Sequence, residues 1–393
     1  MKDFVIHIGT SGFPIGGNAV IHRIGLVFRA LKSVGCKTLI VNKHAMYTVK
    51  DKSRIGRSNG IPYVAASYFV SRPDSFLLRN LNKLTGFIGE TIFLIRKRRK
   101  IHSAIISGVS FSELVYYRLL FKVLNVKLVL EYVELLTAMK SRKGFLKRIN
   151  DKFMDKYSFL LCDKVIVISE YLKELAISRN SSLPLLKVPA ICDFSNFKKN
   201  DKLEQKKYLM YCGSIGYLSS IEFVIDVFSR LKQENLYNGD LFLAIGVGSG
   251  NEQVFNSLKS KINEGAFSHS INLNQNVPFQ KLVKDYLQAE LLIVPMRNEL
   301  QDIAGFHHKV GEYCAAGKPI ISNNLGEISY YFRDGESAIL ADDYSVDSYL
   351  EKLRIRLVDK ARLGTIASEG HNVGLMHLNY LNYGSKLKQF IQC

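Results

Sequence analysis

The sequence predicts an α/β protein made of two doubly wound, Rossmann-like domains. Short apolar runs alternate along the chain with segments whose apolar residues recur at helical spacing, which is typical of β-α-β units around parallel sheets. With 393 residues, the chain is too long for one ordinary hydrophobic core, which favours two domains of about 200 residues each. We therefore expect two such domains that face each other across a cleft.

Six apolar runs predict the strands of a first domain, residues 1–191. Between the first two runs, residues 18–35 predict a helix with one apolar face. The apolar residues of this helix are Ile21, Ile24, Phe28 and Leu31. The predicted strands are 4–9, 37–41, 103–109, 127–133, 164–169 and 185–191.

A polar stretch without periodicity, CDFSNFKKNDKLEQKK at 192–207, is interpreted as the linker. A second series of strands and helices then predicts the second domain, residues 208–375. The remaining segment, 376–393, is predicted to be a C-terminal helix that packs back on the first domain. The strands predicted for the second domain are 208–215, 241–248, 270–274, 291–296, 318–322 and 337–341.

The net charge of +19 is concentrated in the first half of the chain. Residues 1–200 contain 34 Lys and Arg against 13 Asp and Glu, whereas residues 201–393 contain 20 against 22. This asymmetry predicts an anionic partner for the first domain, such as anionic lipid or a phosphorylated substrate. Nucleic acid is not expected, because the basic residues are not interleaved with a stacking platform of aromatic side chains.

One basic helix is predicted at 73–100, where apolar residues recur at helical spacing and the segment ends in LIRKRRK. A basic amphipathic helix can lie in the interface of an anionic membrane, where charge and apolar area both contribute. The alternative is a core helix that ends in a solvated basic tail. The apolar residues are Leu77, Leu78, Leu81, Leu84, Ile88, Ile92 and Ile95.

The start of the chain, MKDFVIHIGTSGF, lacks the pattern of a signal peptide, and no apolar run is long enough to cross a bilayer. We therefore expect a cytoplasmic protein, located in part at the inner face of the plasma membrane. The six cysteines are scattered, without zinc-ligand spacing. Neither a metal nor a cofactor is expected.

Two glycine-rich stretches follow predicted strands. In GTSGFPIGG (9–17), Gly16 and Gly17 would let the backbone approach a ligand before the first helix. In GVGSG (246–250), Gly246 and Gly248 form G-x-G-x-G instead of the dinucleotide-binding G-x-G-x-x-G. Both are predicted to line the cleft. A plain strand-to-helix turn is the alternative for the first.

The segment HHKVGEYCAAGKPII (307–321) concentrates charged and imidazole groups at the start of a predicted helix. Lys309 would lie in the first turn, where a cation opposes the helix dipole unless an anion lies opposite. Glu312 lies one turn further and can accept hydrogen bonds from two neighbouring hydroxyls. A surface turn with ordinary charges is the alternative.

The order of segments from Tyr208 to Leu340 resembles the donor half of family 4 glycosyltransferases. The resemblance rests on YCGSIGYLSSIEFVIDVF, LAIGVGSG, LNQNVPFQKLVKDYLQAELLIVPM and GFHHKVGEYCAAGKPIISNNLGEISYYFRDGESAIL. It implies the GT-B fold and metal-independent transfer from a nucleotide sugar with retention at the anomeric carbon. Similar relatives with the pattern K-x-x-E-Y-x-A-x-G-K-P-I at this site occur in bacterial surface-polysaccharide pathways.

The resemblance also implies site residues. The family has two glutamates with seven residues between them; Ala304 occupies the first position, and Glu312, at the second, would bind the donor ribose. Ser214 and Ser219 stand where two cations usually grip the diphosphate, so Lys309 would supply that charge and is, with Glu312, the expected catalytic residue. The donor-binding residues expected in all are Gly213, Ser214, Gly246, Gly248, Gly305, Phe306, His307, His308, Lys309 and Glu312.

On the acceptor side, EYVELL (131–136) stands where the family usually has a histidine, and Glu131 and Glu134 are candidates for orienting the acceptor. The leading interpretation is a retaining, hexosyltransferase-type enzyme that acts on a polysaccharide or lipid-linked glycan. Two alternatives stay open: a non-catalytic nucleotide-sugar-binding subunit, which Ala304 favours, and a GT-B sugar-nucleotide epimerase, which the scattered histidines disfavour.

Overall fold

The computed structural model describes residues 3–15, 19–44, 53–198 and 204–392. The chain divides into two compact units. Unit 1 contains Met1–Ile191 and Tyr380–Cys393, and unit 2 contains Cys192–Asn379. The described ranges contain no helix with both the length and the apolar character that crossing a bilayer requires.

The strands of unit 1 come first in the chain. They are β1 Phe4–Ile8, β2 Lys37–Asn42, β3 Ile55–Ser58, β4 Ile61–Ala65, β5 Ile101–Ile106, β6 Lys127–Tyr132, β7 Lys164–Val167 and β8 Leu185–Lys187. The strands of unit 2 are β9 Tyr208–Ser214, β10 Asp240–Gly246, β11 Ile271–Gln275, β12 Leu291–Ile293, β13 Ile320–Asn323 and β14 Ile339–Ala341.

The helices connect these strands. The first five are α1 Ala19–Ser33, α2 Phe76–Lys97, α3 Phe111–Leu124, α4 Phe145–Tyr157 and α5 Glu170–Arg179. Unit 2 contributes α6 Leu218–Gln233, α7 Glu252–Glu264, α8 Phe279–Gln288, α9 Leu300–Ala304, α10 His308–Ala316, α11 Glu327–Tyr331, α12 Val346–Arg356 and α13 Lys360–His377. The last helix, α14 Gly384–Gln392, belongs to unit 1.

Each unit is built on one sheet. The sheet of unit 1 has the order β3-β4-β2-β1-β5-β6-β7-β8 and is parallel except for β3, which runs antiparallel to β4. The sheet of unit 2 has the order β11-β10-β9-β12-β13-β14, and its paired strands are parallel. The prediction of two doubly wound α/β domains is therefore confirmed.

The core of unit 1 forms because α1 buries the apolar face that its sequence predicts. Ile24 and Phe28 are buried against the sheet. The C-terminal segment packs in the same core through Leu387 and Ile391 of α14. Gly384 allows this close approach, because a Cβ at this position would lie 2.6 Å from the carbonyl oxygen of Ala30. A larger residue at 384 would push α14 away from α1.

The segment that the sequence indicates as a linker is part of unit 2 at its start. The N–H of Cys192 donates to the carbonyl of Leu378 over 2.7 Å, and Phe197 stacks on Tyr286 with 6.4 Å between the ring centroids. Both residues are buried. These contacts join residues 192–198 to unit 2, whereas residues 199–203 lie outside the described ranges.

All twelve predicted strands correspond to observed strands, and two observed strands were not predicted. β3 and β4 form a hairpin whose turn is Asn59-Gly60, both residues with positive φ, 47° and 75°. Asn-Gly between short apolar runs is a strong hairpin signal. That dipeptide is the feature from which the hairpin could have been predicted.

Candidate functional site

The carboxyl ends of the strands in unit 2 carry most of the predicted site. From β9 the chain proceeds outward to β10 and β11, and it then returns to β12 on the other side of β9. Ligands of open α/β sheets bind where the strand order reverses in this way. Gly213 and Ser214 end β9, and Gly246, paired with Ser214, ends β10. The structure thus brings these three predicted residues together, and Gly248 follows them, exposed, after β10.

Lys309 and Glu312 form an ion pair on α10. The Nζ of Lys309 lies 2.8 Å from Oε2 of Glu312, because residues three apart on a helix share one face. The same carboxylate oxygen accepts a hydrogen bond of 3.0 Å from the hydroxyl of Tyr286, which is fully buried on α8. Glu312 is itself buried. Its carboxylate is therefore held in one orientation by a cation and a phenol.

The charge at Lys309 is stabilised inside unit 2. Burial, the largest single influence, lowers the pKa of this ammonium, but the carboxylate of Glu312 and the thiol of Cys212 together raise it by more, so that the net shift is upward. The ammonium also lies 5.8 Å from the centroid of the Tyr286 ring. A cation in the first turn of α10 thus has an anion from its own helix, and its presence does not by itself require a bound ligand.

A hydrogen bond links α10 to the end of β9. The hydroxyl of Tyr313, which is buried in α10, accepts the N–H of Cys212 over 3.0 Å. Tyr313 also packs edge-on against Tyr286, with 5.2 Å between the ring centroids. The position of Glu312 is therefore fixed relative to Gly213 and Ser214.

The segment before α10 is more tightly packed than its sequence indicates. Ala304 is fully buried, and Phe306 is buried and stacks on Tyr331 at 5.5 Å with nearly parallel rings. A Cβ on Gly305 would lie 2.9 Å from the carbonyl oxygen of Gln301. The side chain of Phe306, predicted as a donor-binding residue, is thus a core side chain. Only the backbone here is available to a ligand.

His307 and His308 precede and begin α10, and both are half-buried. The Nε2 of His307 lies 3.9 Å from Oδ2 of Asp302. Burial lowers the pKa of His307, and the pull of Asp302 in the opposite direction is too small to restore it. We therefore expect a neutral imidazole at position 307 near pH 7.

Arg297 is a site residue that sequence reasoning missed. Its guanidinium makes two bonds to the buried carboxylate of Asp302, of 3.0 and 2.6 Å, and its carbon lies 5.0 Å from the centroid of the Tyr217 ring. It therefore ties the loop after β12 to the loop after β9. The spacing of five residues between Arg297 and Asp302 was a visible signal, but the contact with Tyr217 depends on tertiary packing.

The two serines at the usual cation positions have no charge to offer. The Oγ of Ser214 accepts the N–H of Gly216 over 3.3 Å and caps a short 3-10 turn. Ser219 is exposed in the first turn of α6. These serines shape the loop after β9 and leave its backbone accessible.

Glu131 in unit 1 requires a correction. It was expected to orient an acceptor, but its carboxylate is buried and accepts a 2.9 Å hydrogen bond from Nε of Arg23. The same guanidinium donates to the carbonyls of Val188 and Pro189. A buried charge must be paired, and Glu131 serves this internal network. Glu134 is exposed after β6, and Gly16 and Gly17 lie outside the described residues.

Unit 1 contains a second charged cluster that the sequence did not reveal. The ammonium of Lys43, just after β2, contacts the carboxylate of Glu113 at the start of α3. Close by, Tyr117 of α3 donates to the buried carboxylate of Glu90 on α2. Burial raises the pKa of Glu90 to about 7, although the bond from Tyr117 and the charge of Lys43 both lower it. These residues come from three separate elements, so that no local pattern predicts them.

Among the residues that the structure describes, no group of three or more His, Cys, Asp and Glu side chains is arranged to hold a metal ion. The described cysteines are all free thiols. At the carboxyl edge of the sheet of unit 2, the groups that can contact a ligand include the Lys309–Glu312 pair, the exposed glycines and the backbone after β9 and β10.

Residues 193–369 match the family described as glycosyl transferases group 1. One similar protein is the 2-deoxystreptamine N-acetyl-D-glucosaminyltransferase of Niallia circulans, 27% identical over 224 residues, which are 56% of this chain and 51% of that protein. The chain thus spans about half the length of the curated relatives it matches.

Solved structures are similar over nearly the whole chain. Sucrose-phosphate synthase from Thermosynechococcus elongatus superposes with a TM-score of 0.73 at 14% identity, covering 99% of this chain and 98% of that one. Alr3699/HepE of Anabaena, solved in complex with UDP and glucose, superposes with a TM-score of 0.70 at 12% identity, covering 99% of both chains. At these identities the likeness shows the fold, which is GT-B.

Proposed function

We propose that the chain transfers a sugar from a nucleoside diphosphate sugar to a glycan acceptor, because residues 193–369 match the family described as glycosyl transferases group 1. The transfer proceeds with retention at the anomeric carbon and without a metal. The reaction breaks the bond between that carbon and a diphosphate oxygen and forms a bond to an acceptor hydroxyl oxygen. Unit 2 binds the donor, and unit 1 receives the acceptor.

The observation that carries this proposal is the carboxylate of Glu312 at the carboxyl edge of the sheet of unit 2. A carboxylate has about four acceptor positions, and Lys309 and Tyr286 use two of them. Two acceptor positions therefore remain for the neighbouring hydroxyls of a ribose. Lys309, whose Nζ lies 2.8 Å from this carboxylate, stabilises its negative charge.

The departing nucleoside diphosphate gains negative charge as the glycosidic bond breaks. Lys309 supplies one positive charge next to the proposed ribose site, and the exposed residues Ser214, Gly246 and Gly248 lie at or after the carboxyl ends of β9 and β10. Such prearranged groups lower the barrier when they bind the developing charge more tightly than the ground state. Because the neutral Ser214 and Ser219 stand at the two usual cation positions, Lys309 is the principal side-chain cation of the proposed donor site.

A non-catalytic nucleotide-sugar-binding subunit is the second candidate. The observation that favours it is Ala304, an apolar and fully buried residue at the position of the first family glutamate. A methyl group in the core cannot contact a transferred sugar. Lys309 and Glu312 serve binding in either case, so that they do not distinguish the two functions.

The experiment is a turnover assay with purified protein. The protein is incubated with UDP-, GDP- and dTDP-hexoses, with and without acceptors from a lipid extract, and release of the nucleoside diphosphate is measured. Binding of the same nucleotide sugars is measured separately by calorimetry. An enzyme releases nucleoside diphosphate faster in the presence of an acceptor, and Glu312→Ala loses this activity. Binding without release would identify the subunit, and neither binding nor release with any donor would contradict both candidates.

We also propose that unit 1 rests on an anionic membrane, where a lipid-linked acceptor would be presented. The support is helix α2. An ordinary surface helix buries its apolar side and exposes its polar side, whereas α2 exposes its large apolar side chains and buries mainly polar and small residues. Its buried stripe is Asn82, Gly86, Glu90 and Leu94. Its large apolar residues are exposed by between 41% and 77%, namely Phe76, Leu77, Leu78, Leu81, Leu84, Ile88, Ile92 and Ile95.

Two glycines explain how α2 packs against the rest of unit 1 with so few apolar contacts. A Cβ on Gly86 would collide with the carbonyl oxygen of Lys43, and one on Gly89 with that of Ala66. The helix backbone thus lies directly against the chain after β2 and β4, with Asn82 bonded to Phe69 in both directions. The apolar face that remains outward exceeds what a solvated surface normally carries.

Charge complementarity supports anionic lipid as the partner of this face. α2 ends in Arg96 and Lys97, and three more basic residues follow before β5. The neighbouring helices continue the layer: Phe87 of α2 packs on Tyr116 of α3, and Phe111 of α3 packs on Phe153 of α4. α4 begins with two exposed apolar residues and carries basic ones. These are Phe145, Leu146, Lys147, Arg148, Lys152 and Lys156.

A further inference from the structure

Unit 2 contains a pocket at the amino ends of its strands, opposite the edge that carries Lys309 and Glu312. Its volume is about 630 Å³, which lies within the range of small-molecule sites. The walls come from the segment before β9, the start of β12, the turn between α10 and β13, and the first half of α13. None of the residues proposed for the donor lines it.

The floor of this pocket is apolar and its rim is basic. Ala289, Leu363 and Ala367 are buried at its base. Four lysines line it: Lys206, Lys207, Lys318 and Lys360. Unit 2 as a whole has 20 Lys and Arg against 23 Asp and Glu between residues 192 and 379. Four lysines along one pocket are therefore a local concentration of basic residues in a unit with more acidic than basic residues.

One carboxylate, that of Glu290, lines the pocket, and it is already engaged. It pairs with Lys360 and accepts a 2.8 Å hydrogen bond from the hydroxyl of Tyr237. It therefore compensates a single lysine. The first turn of α13, an 18-residue helix, also lines the pocket, and the carboxylate of Asp359 caps this helix by accepting the N–H of Arg362 over 2.9 Å.

The basic rim is held in place by backbone contacts. The N–H of Lys206 donates to the carbonyl of Gln288 over 2.9 Å, and the carbonyl of Lys207 accepts the N–H of Asp240 over 3.0 Å. Lys318 donates to the side-chain oxygen of Gln205. The lysines thus start from fixed backbone positions, which reduces the entropy lost when they close around a ligand.

From this geometry we propose that unit 2 has a second anion site, which binds a small phosphorylated metabolite. The lysines bind its phosphoryl groups, and the base of the pocket covers its carbon skeleton. α10 connects the two sites, since it carries Lys309 and Glu312 near its start and ends at Gly317 and Lys318 on the pocket wall. His371, on the same wall, bonds to the carbonyl of Cys314 in the last turn of α10 over 2.8 Å.

The test is a calorimetric titration of the full chain with inorganic pyrophosphate at low ionic strength. Wild type is expected to bind, and the variant Lys206→Gln/Lys207→Gln should bind at least tenfold more weakly. The control Lys232→Gln/Lys259→Gln removes the same charge from α6 and α7, outside the pocket, and should stay within twofold of wild type.

A second variant fills the pocket instead of removing positive charge from it. A Cβ on Gly364, which lines the pocket, would meet no atom within 4 Å, so that Gly364→Leu is expected to occupy part of the pocket. It should also weaken pyrophosphate binding at least tenfold. Absence of pyrophosphate binding, or equal binding by wild type and both pocket variants, would overturn the second site.

Discussion

Lys309 lies in the first turn of α10 with its ammonium 2.8 Å from the carboxylate of Glu312. If it also contacts the donor diphosphate, Lys309→Ala should weaken binding of a nucleoside diphosphate by about 1.5–3 kcal/mol, as expected for a bond to a charged group. Binding of the nucleoside alone should weaken much less. The measurement is a calorimetric titration with the nucleoside, its monophosphate and its diphosphate.

The matched control is Lys259→Ala, an exposed lysine on α7. It should change none of the three affinities. Equal losses for all three ligands in Lys309→Ala would mean that Lys309 acts only by holding Glu312 and makes no contact with the diphosphate.

At the residue scale, local spacing predicts only part of the site. The three-residue separation of Lys309 and Glu312 implies neighbours on one helix face. Spacing cannot show that Tyr286, on another helix, shares the same carboxylate, because that contact depends on how α8 packs on α10. Glu131 was misinterpreted for the same reason, since its partner Arg23 is 108 residues away in the sequence.

Among the elements, α2 carries the clearest prediction for binding. Unit 1 should bind vesicles of anionic phospholipid, and Leu77→Ser/Leu84→Ser/Ile88→Ser should weaken this binding strongly, since each fully buried side chain of this type contributes about 1.5–3 kcal/mol. These residues are exposed, so that the variant should fold normally. The measurement is vesicle co-sedimentation of the full chain.

Varying the salt concentration and the lipid charge distinguishes electrostatic binding to anionic lipid from non-specific hydrophobic adsorption. Binding should fall when the screening length shortens from about 8 Å at physiological salt to about 3 Å at 1 M. The control Ile355→Ser/Val358→Ser removes exposed apolar residues of unit 2 and should have no effect. Equal binding to neutral and anionic vesicles would argue against an anionic partner.

The stability contributed by the packing of α2 against the rest of unit 1 should depend on pH through Glu90. Its pKa is raised to about 7 by burial, with Tyr117, Lys43 and Glu113 as its neighbours, whereas an unfolded glutamate titrates near about 4.3. Between these values the folded protein retains a proton that the unfolded chain loses. Stability contributed by this proton is therefore complete below about pH 4 and lost as pH rises through 7.

Glu90→Gln is neutral at every pH and keeps an oxygen that accepts from Tyr117. Its stability relative to wild type should therefore improve as pH rises from 5 to 8, as measured by urea unfolding at each pH. A difference between the two proteins that does not change with pH would show that Glu90 keeps its ordinary pKa.

At the element scale, periodicity predicted α2 but not the orientation of its apolar face. The recurrence of leucine and isoleucine is equally compatible with a buried face and an exposed one. The buried stripe at Asn82, Gly86 and Glu90 depends on two backbone carbonyls that lie against the glycines of the helix. Those contacts are tertiary, so that sequence spacing alone left both alternatives open.

For the whole molecule, the alternation of strand and helix signals was sufficient to predict two doubly wound units, because parallel strands need helical crossovers. The polar segment 192–207 marks the change between the units, but composition did not reveal that Cys192 and Phe197 are buried in unit 2. A few apolar residues in a polar stretch determine such a boundary, and their partners are distant in the sequence.

The most direct measurement is a calorimetric titration of wild type, Glu312→Ala and Glu312→Gln with UDP, GDP, ADP and dTDP. For the nucleoside diphosphate that wild type binds best, Glu312→Ala should lose about 1.5–3 kcal/mol of binding free energy, because ribose hydroxyls lose a charged acceptor. Glu312→Gln should recover part of this loss, and Glu369→Ala, which removes an exposed carboxylate of α13, should lose nothing. Unchanged affinity in a folded Glu312→Ala protein would contradict a donor site at this carboxylate.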